Sequence, residues 1–511
     1  MNQRFQFGVI GSGFSGSLLA WLLSKRGHSV ILLDRSPHPR FAVGESSTPL
    51  ADFLLEQIAD QYSLPKLRPL SRWGSWQRDL PQLRAGKKRG FSYYSHRPNQ
   101  PFHETSSHEN SLFVAASASD ELSDTHWMRS DVDQWFCEQA VASGTHLIAN
   151  FDAIVAKQIS SGWELSGEVE DSPLTLQVDK VIDASSNGNT LAQALGLTSL
   201  DDRLRTRTGA LFGHFRDVVP MTEWLAQNGF TTVDDPFDGD EAAQHHWIGS
   251  GWLWFLRFAD GTTSVGLVQP CENWSDVLAD APDRLAAFKQ FIENYPTVAS
   301  LLRNASIVDP QDADGNPRMA WMPRISRLWA QAAGKNWLML PTTAGIIDPL
   351  HSTGIAHSLS GVLRAANLLT CDVSDVRRSE MLSQYSVDVV AEVRWIDHMV
   401  ANCYATASHS FEAFIAASSL YFVSAIQCER QMVETGEMRD GFLLARSTKL
   451  QRVMHDTTRM LEQFSAFSPG GSSKELSNWM RHQIQPWNDV GLLDPQSHNR
   501  LSRSVAPKSL S

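Results

Sequence analysis

A short apolar run ending in Val9 and Ile10 leads into Gly11, Gly13 and Gly16. An apolar stretch at helical spacing follows, and then a second β-like run, Val30 to Leu33, which stops at Asp34. Strand, tight glycine turn, helix, strand and acid in that order leave few folds open, because each part has a task in seating a dinucleotide. Gly11 permits the turn, Gly13 lets the backbone approach a pyrophosphate, and Gly16 lets the helix pack closely on the strand. The unpaired N–H groups and the dipole of the new helix favour phosphate. Asp34 stands roughly 20 residues past the glycines, where a carboxylate meets a ribose hydroxyl. This stretch alone does not choose between FAD and NAD, and it is the only such cradle in the chain, so a second one for NAD(P)H is not expected.

At 511 residues the chain exceeds what one hydrophobic core usually holds, which predicts two or three subdomains. Lys and Arg total 44 against 56 Asp and Glu, a net charge of −12, and that balance argues against nucleic-acid binding. The five cysteines, Cys137, Cys271, Cys371, Cys403 and Cys428, form no CxxC and no metal-like spacing, so free thiols and no metal site are expected. The N-terminus has no basic n-region or cleavage site, and no uninterrupted apolar run approaches the ~20 residues of a spanning helix. The reading is a cytoplasmic chain without a membrane span.

Further along, Pro49 is placed to open a helix at its first turn, and GFSYYSH at 90–96 alternates like a strand. Residues from about 96 to 124 are polar and Ser-rich and predict a long surface excursion. Helical spacing resumes from Trp127, with Ser130 as its N-cap, and a β-meander follows up to the run ending at Asp183. That carboxylate, with Gly188 after it, suits either a second contact edge on an extended nucleotide or a structural turn. Two strand runs around Trp252 and Val265 flank an Asp260-Gly261 hairpin turn, residues 274–302 read as helical, and a Gly turn with Asp348 precedes a helix from about Gly354. Beyond residue 376 nearly everything is helical. There, Phe411, Phe414, Leu420 and Tyr421 share a face that is either core or a lid over an apolar slot. His398, His409 and Glu412 could edge that slot, but without metal-like spacing they read as structural residues.

Several motifs in one order then resemble the flavin-dependent halogenases, FAD enzymes on the aromatic hydroxylase-like fold. They are GSGFSG, VGESSTP at 43–49, KKRGFSYYSH at 87–96, HWMRSDVD at 126–133, GWLWFLRF at 251–258 and AGIIDPLHSTGIAHSL at 344–359, and the phenol-halogenating branch is the nearest. The resemblance implies an α/β chain. A discontinuous Rossmann-like FAD-binding domain (1–95, 125–200 and 320–375) would hold an inserted antiparallel β-sheet substrate domain (201–319) and a helical C-terminal region (376–511). It implies reduced FAD delivered by a flavin reductase, with O2 and chloride or bromide giving hypohalous acid. That acid reaches a lysine beside an electron-rich, phenol- or indole-like ring, free or carrier-bound. The lysine matches Lys88, with Lys87 as the register alternative and a solvated basic cluster as the rival reading.

By the same resemblance, Thr353 and Gly354 offer backbone N–H groups to halide. Ser46, Arg129 and Asp348 join Gly11, Gly13, Gly16, Asp34 and Asp183 at the cofactor, and Trp252 and Trp254 form the wall by the flavin. Two departures stand out. The family's Trp-x-Trp-x-Ile-Pro reads Trp252, Leu253, Trp254, Phe255, Leu256, Arg257 here, and a charge at that place needs a partner or solvent. A glutamate of the indole-type members is His351, which could serve as a base, orient a phenol, or pack as a structural residue. These departures keep an FAD monooxygenase on the same scaffold, without halogenation, as the alternative activity.

Overall fold

The computed structural model describes residues 4–279, 281–406, 410–467 and 473–502. Its first sheet is built on the glycine-turn unit. Arg4–Ile10 pairs in parallel with Val30–Leu33 on one side and with Ser172–Asp183 on the other, and Trp337–Met339 extends the sheet in parallel beyond the latter. The first strand is thus flanked by partners from distant parts of the chain, and the carboxyl ends beside it, at Ile10 and Asp183, form the crevice where open α/β sheets bind ligands. The meander expected before Asp183 pairs Asp152–Ile159, Gly162–Val169 and Ser172–Asp183 antiparallel.

The second sheet runs in the order Ser306–Asp309, Thr208–Arg216, Thr263–Pro270, Trp252–Arg257, Ala243–Trp247, Gly90–Ser95, Ser111–Ala115, Arg500–Leu501. The Asp260-Gly261 hairpin is present, with Gly261 at φ +84°. A ninth strand, Ala320–Met322, pairs beside Thr208–Arg216, so four strands come from outside residues 201–319, and two of the pairings, Ala243–Trp247 with Gly90–Ser95 and Arg500–Leu501 with Ser111–Ala115, are parallel. The stretch expected to be a surface excursion therefore contains a strand, SLFVA, every residue of which is buried. Its five residues lie within a polar surround that outweighs them in composition.

Alternation along this sheet feeds two cores. Phe91, Tyr93, Trp247, Trp252 and Trp254 join the large core shared with the Rossmann unit, while Tyr94, Phe113, Leu253 and Phe255 face a smaller one with the short helices of residues 274–301. Those helices are three, Trp274–Leu278, Arg284–Ile292 and Pro296–Leu301. Pro49 opens its helix, Pro49–Gln61, as the sequence predicts. Helix Arg129–Ala142 instead starts two residues earlier than expected. Met128, where the preceding strand ends in extended backbone, is the N-cap, and Ser130 lies inside the first turn with its hydroxyl on Asp131.

The C-terminal helices Asp375–Ala405 and Phe411–Thr435 pack on the large-core face of the second sheet. Among the described residues Phe411–Thr435 is the one helix long and apolar enough to cross a membrane, with mean hydropathy 1.4, yet 83 % of that stretch is buried inside the fold. It contributes Phe414, Tyr421 and Phe422 to the aromatic packing against Phe91, Tyr93 and Trp247. All five cysteines are free.

Candidate functional site

The three glycines do three different things. Gly11 sits at φ +103°, and a Cβ there would lie 2.7 Å from the Ala184 carbonyl oxygen. A Cβ on Gly16 would come within 2.0 Å of the Gly11 carbonyl oxygen, so only glycine brings helix and strand this close. Gly13 is constrained by no such contact. The nearest atoms to its Cβ position belong to Asp133 and Arg129, at 3.6 and 3.9 Å, and the helix it opens, Phe14–Lys25, has no side-chain cap. Unpaired helix N–H groups beside an accessible backbone are what a pyrophosphate requires.

Arg129 holds the far rim. Its guanidinium donates to both Asp133 carboxylate oxygens at 2.8 Å and to the carbonyls of Val43 and Gly44, and it stacks over Phe14. Asp34 is held inside the protein: it accepts from the Ser12 N–H at 2.6 Å and pairs with Arg40 at 2.7 Å. Burial opposes the charge on Asp34, but Arg40 and the Ser12 N–H outweigh it and keep the carboxyl below its usual range. Asp183 is fully buried and accepts from the Ser185 N–H at 2.9 Å, the geometry of a structural turn. Burial raises its pKa despite that bond.

The three basic residues that follow Gly86 divide between outside and inside. Lys87 reaches Asp120 at 2.6 Å and Glu241 at 2.7 Å near the surface, and Arg89 pairs with Asp120. Lys88, on the opposite face of Ala85–Lys88, is 0 % exposed. Its Nζ donates to the Ser47 carbonyl at 2.5 Å and lies 4.2 Å from the centre of the Phe91 ring. Gly86 allows this strand to sit on Arg257, since a Cβ there would meet the Arg257 carbonyl oxygen at 1.8 Å. The loop that holds Lys88 is itself fixed. Ser47 Oγ accepts from the Thr125 N–H, Glu45 pairs with buried His214 at 2.6 Å, and Ser46 keeps a buried hydroxyl with no hydrogen-bond partner among the described residues. The Glu45 carboxylate raises the His214 pKa against the effect of burial.

The loop from Asp348 to Gly354 reaches Phe91 through the stack of His351 on Tyr421. Asp348 accepts from the Thr208 hydroxyl at 2.6 Å, the Leu350 N–H at 3.0 Å and the Tyr404 hydroxyl at 3.0 Å, and Trp252 Nε1 donates to Tyr404 Oη at 2.8 Å. Burial nevertheless pushes its carboxyl up to about 6. Ser352 takes a left-handed conformation, φ +53°, and carries the chain into helix Gly354–Thr370, which has no side-chain cap and no atom within 4 Å of a Cβ on Gly354. Trp254 covers Gly266 and donates to Ser264 Oγ at 3.0 Å.

His351 stacks on Tyr421, ring centres 4.2 Å apart and nearly parallel, with Nε2 3.7 Å from Cys403 Sγ. Burial pushes it down to about 3, so it is neutral at ordinary pH and too weak a base to hold a proton there.

Arg257, the departure from the family pattern, is fully engaged. It donates to Asp240 at 2.8 Å and to the Val218 and Val219 carbonyls, while Asp240 also accepts from the Met221 and Thr222 N–H groups of the next helix. It clasps the second sheet to its flanking helix. His398 lines a groove of about 790 Å³ between Asp375–Ala405 and Thr448–Phe467, together with Arg394, Trp395 and Met454. None of the residues gathered around Lys88 lines that groove. Glu412 is exposed at a helix start, and His409 lies outside the described residues.

Sequence reasoning missed Tyr93, His245, Cys403 and Tyr404. Tyr93 stacks on His245 at 4.4 Å, and His245 lies 5.0 Å from Trp252, which links the strand Gly90–Ser95 to Trp252. The alternation of GFSYYS already put Tyr93 on the face of Phe91. The strand AQHHW, which supplies His245, has too few aliphatic residues to stand out.

The Rossmann unit matches the model of a NAD(P)-binding Rossmann-like domain over residues 9–53. The tetracycline 7-halogenase of Kitasatospora aureofaciens is 27 % identical over 417 residues, 78 % of this chain and 70 % of that protein. The monodechloroaminopyrrolnitrin halogenase PrnC of Pseudomonas fluorescens is 24 % identical over 451 residues, 85 % and 73 % of the two chains. In fold, the halogenase PltM in complex with phloroglucinol and FAD superposes with a TM-score of 0.83 at 21 % identity, covering 97 % of this chain and 99 % of that one. That structure holds FAD, and here the open glycine at Gly13, the two uncapped helix N-termini and the unpartnered Ser46 hydroxyl fit such a cofactor. In sequence and in fold alike, the chain resembles the flavin-dependent halogenases, built on a Rossmann-like FAD-binding α/β scaffold.

Proposed function

We propose that this protein is an FAD-dependent halogenase acting on an electron-rich aromatic ring, with Lys88 presenting the electrophile. The observation that carries the proposal is the setting of Lys88: a lysine with no solvent exposure, held by the Ser47 carbonyl and by Phe91, whose ring packs against Tyr421 and Phe422 of the C-terminal helices. Bound in reduced form, delivered by a flavin reductase, FAD would supply hypohalous acid from O2 and halide. The chain's own residues do the rest. Gly13, Arg129 and the first turn of Phe14–Lys25 seat the pyrophosphate, and Ser46 has a hydroxyl to give to the cofactor. The unpaired N–H groups that open Gly354–Thr370 suit a halide. The Lys88 ammonium donates a hydrogen bond to the oxygen of hypohalous acid, which sharpens the halogen. A ring carbon then bonds the halogen, the O–X bond breaks, and the ring proton and the hydroxide leave as water. Phe91, Tyr93, Trp252 and Phe422 exclude bulk water from this step.

One experiment tests the proposal: the protein with FAD, a flavin reductase, bromide or chloride and a small panel of phenols and indoles, read by product mass. Halogen-containing products are expected. Products that gain oxygen alone would favour the monooxygenase alternative. Arg257, one of its motives, is a satisfied structural clasp here.

A further inference from the structure

One face of helix Asp375–Ala405 is left uncovered. Val376, Ser379, Ser383, Val387, Val390 and Arg394 recur on it at helical spacing, and Val376 and Val387 are 72 % and 60 % exposed. The groove of about 790 Å³ against Thr448–Phe467 and a second of about 920 Å³ toward the start of the helix share Lys335, Ser379, Ser383 and Val387, so the two form one trough. From Val376 to His398 the trough follows the helix for about 33 Å, at 1.5 Å per residue.

Its two ends differ in charge. At the Thr448–Phe467 end the lining is apolar at Val390, Ala391, Trp395 and Met454, and basic at Arg205, Lys335, Arg394, His398 and His455, while no Asp or Glu lines it. In a chain of net charge −12 such a patch needs a cause. The acids nearby are turned away from it or weakly held. Asp397 is buried and accepts from the Arg205 and Thr206 N–H groups at 2.9 and 2.8 Å. Glu462 pairs with Arg205 at 2.8 Å, but it is 64 % exposed, and so open a pair is readily exchanged for another anion. The side chains of Arg394 and Lys335 have no hydrogen bond or ion pair among the described residues. Burial lowers the His398 pKa; Asp397 opposes the fall, and Arg205, Arg394 and His455 deepen it. Three cationic or titratable groups from three separate segments therefore converge on one point of the trough.

We propose that this trough binds a free anionic amphiphile, a medium-chain alkyl carboxylate, with its head on Arg394 and Arg205 and its chain laid along Val390 and Val387. Guanidinium groups offer paired donors to the two carboxylate oxygens. The second groove sets Asp375 and Glu380 against Lys180 and Arg378, so the unbalanced positive charge is confined to one end. A single head group followed by an uncharged chain matches that distribution, whereas an acidic helix of a protein partner would need positive charge along the whole length. No residue assigned above to FAD, halide or the Lys88 site lines the trough, so the inference is independent of the halogenase reading.

The test is calorimetry of FAD-loaded protein with decanoate below its micelle concentration, with hexanoate and decanol as the short-chain and neutral probes. Decanoate should bind at one site, and each of the other two should bind about tenfold more weakly or worse, for lost chain burial and a lost charge-assisted hydrogen bond respectively. Arg394→Gln should weaken decanoate about tenfold and leave decanol unchanged, and Arg205→Gln, a second variant at an exposed position, should do the same. Arg459→Gln, which removes an exposed arginine of the same surface outside the trough, should bind decanoate as the wild type does. Because Arg394 has no partner to lose, Arg394→Gln should melt with the wild type in the absence of decanoate. Failure of decanoate to bind, equal affinity for decanoate and decanol, or full decanoate affinity in both Arg394→Gln and Arg205→Gln overturns the proposal. So does binding seen only with phosphatidylglycerol vesicles or only with an acidic peptide.

Discussion

Glu392 offers a perturbation whose size can be worked from two directions. Its carboxylate lies almost wholly buried in the helix Asp375–Ala405 and accepts four bonds: from Arg364 at 2.9 and 2.8 Å, from His357 Nε2 at 3.1 Å and from the Phe442 N–H at 3.2 Å. Removing one partner of a buried ion pair costs about 3–5 kcal/mol, and because Arg364 keeps 26 % of its side chain exposed, solvent screening favours the lower end. The second route is linkage. Burial would raise the Glu392 carboxyl, but Arg364 and His357 prevail and depress it from 4.5 to about 2. A depression of that size is worth about 3 kcal/mol, present above the unfolded value and lost as pH falls toward the folded one. Both routes give about 3 kcal/mol for Glu392→Gln. In a chain this long that is a fall of about 3–6 °C in melting temperature. The assay is thermal unfolding of FAD-loaded wild type and variant from pH 8 to pH 4. The gap should hold constant down to about pH 5 and then narrow, with about 1 kcal/mol of it gone by pH 4. A variant that melts with the wild type at pH 7.5, or a gap that widens on acidification, would refute the reasoning. Helix Gly354–Thr370 carries both Arg364 and the candidate halide site, so FAD affinity should weaken with stability.

Replacing Lys88 by Met keeps the buried stem and removes the ammonium. Halogenated product should fall by about 10²–10⁴ while FAD uptake and O2 consumption persist, and retention of halogenation by the purified variant would remove the assigned role. Lys87→Met, on the outer face, should change product formation by no more than severalfold in the same assay. Gly16→Ala places a methyl 2.0 Å from the Gly11 carbonyl oxygen, so FAD binding measured by absorbance should be abolished; wild-type affinity would show that this contact relaxes freely. Arg257→Leu strands the Asp240 carboxylate and two carbonyls and should cost about 3 kcal/mol of stability in the melting assay, with turnover per folded molecule unchanged.

The parts of this molecule visible in its sequence are those with a short-range physical cause. Gly11 and Gly16 are glycines because the backbone packs on itself at those points, Pro49 starts a helix because its φ is fixed, and Asp260-Gly261 turns a hairpin because Gly261 accepts φ +84°. Strand alternation also separates Lys88 from Lys87 once the strand is known to have a buried face, which the sequence alone could not say. What stayed hidden depends on distant partners. Ser111–Ala115 is a strand because Gly90–Ser95 pairs with it, and Arg500–Leu501 reaches it from the far end of the chain. The clasp of Arg257 on Asp240, and the binding of Asp348 by Thr208 and Tyr404, join residues whose separation in sequence carries no signal.

The helix Phe411–Thr435 shows why the choice between core and lid had no answer at the level of periodicity. Its apolar residues are core in the strict sense, since Phe414 stacks on Trp247 at 4.2 Å and Tyr421 on His351 at the same separation. Those partners, however, belong to the strand beside Tyr93 and to the loop that opens Gly354–Thr370, so the same packing ties together two segments that the proposed function uses. A helix that serves as core can form the wall of a dry site at no added entropic cost, because its side chains are ordered before any ring enters. Tyr421, which touches Phe91, Phe422 and His351 together, is the side chain that joins this helix to both segments.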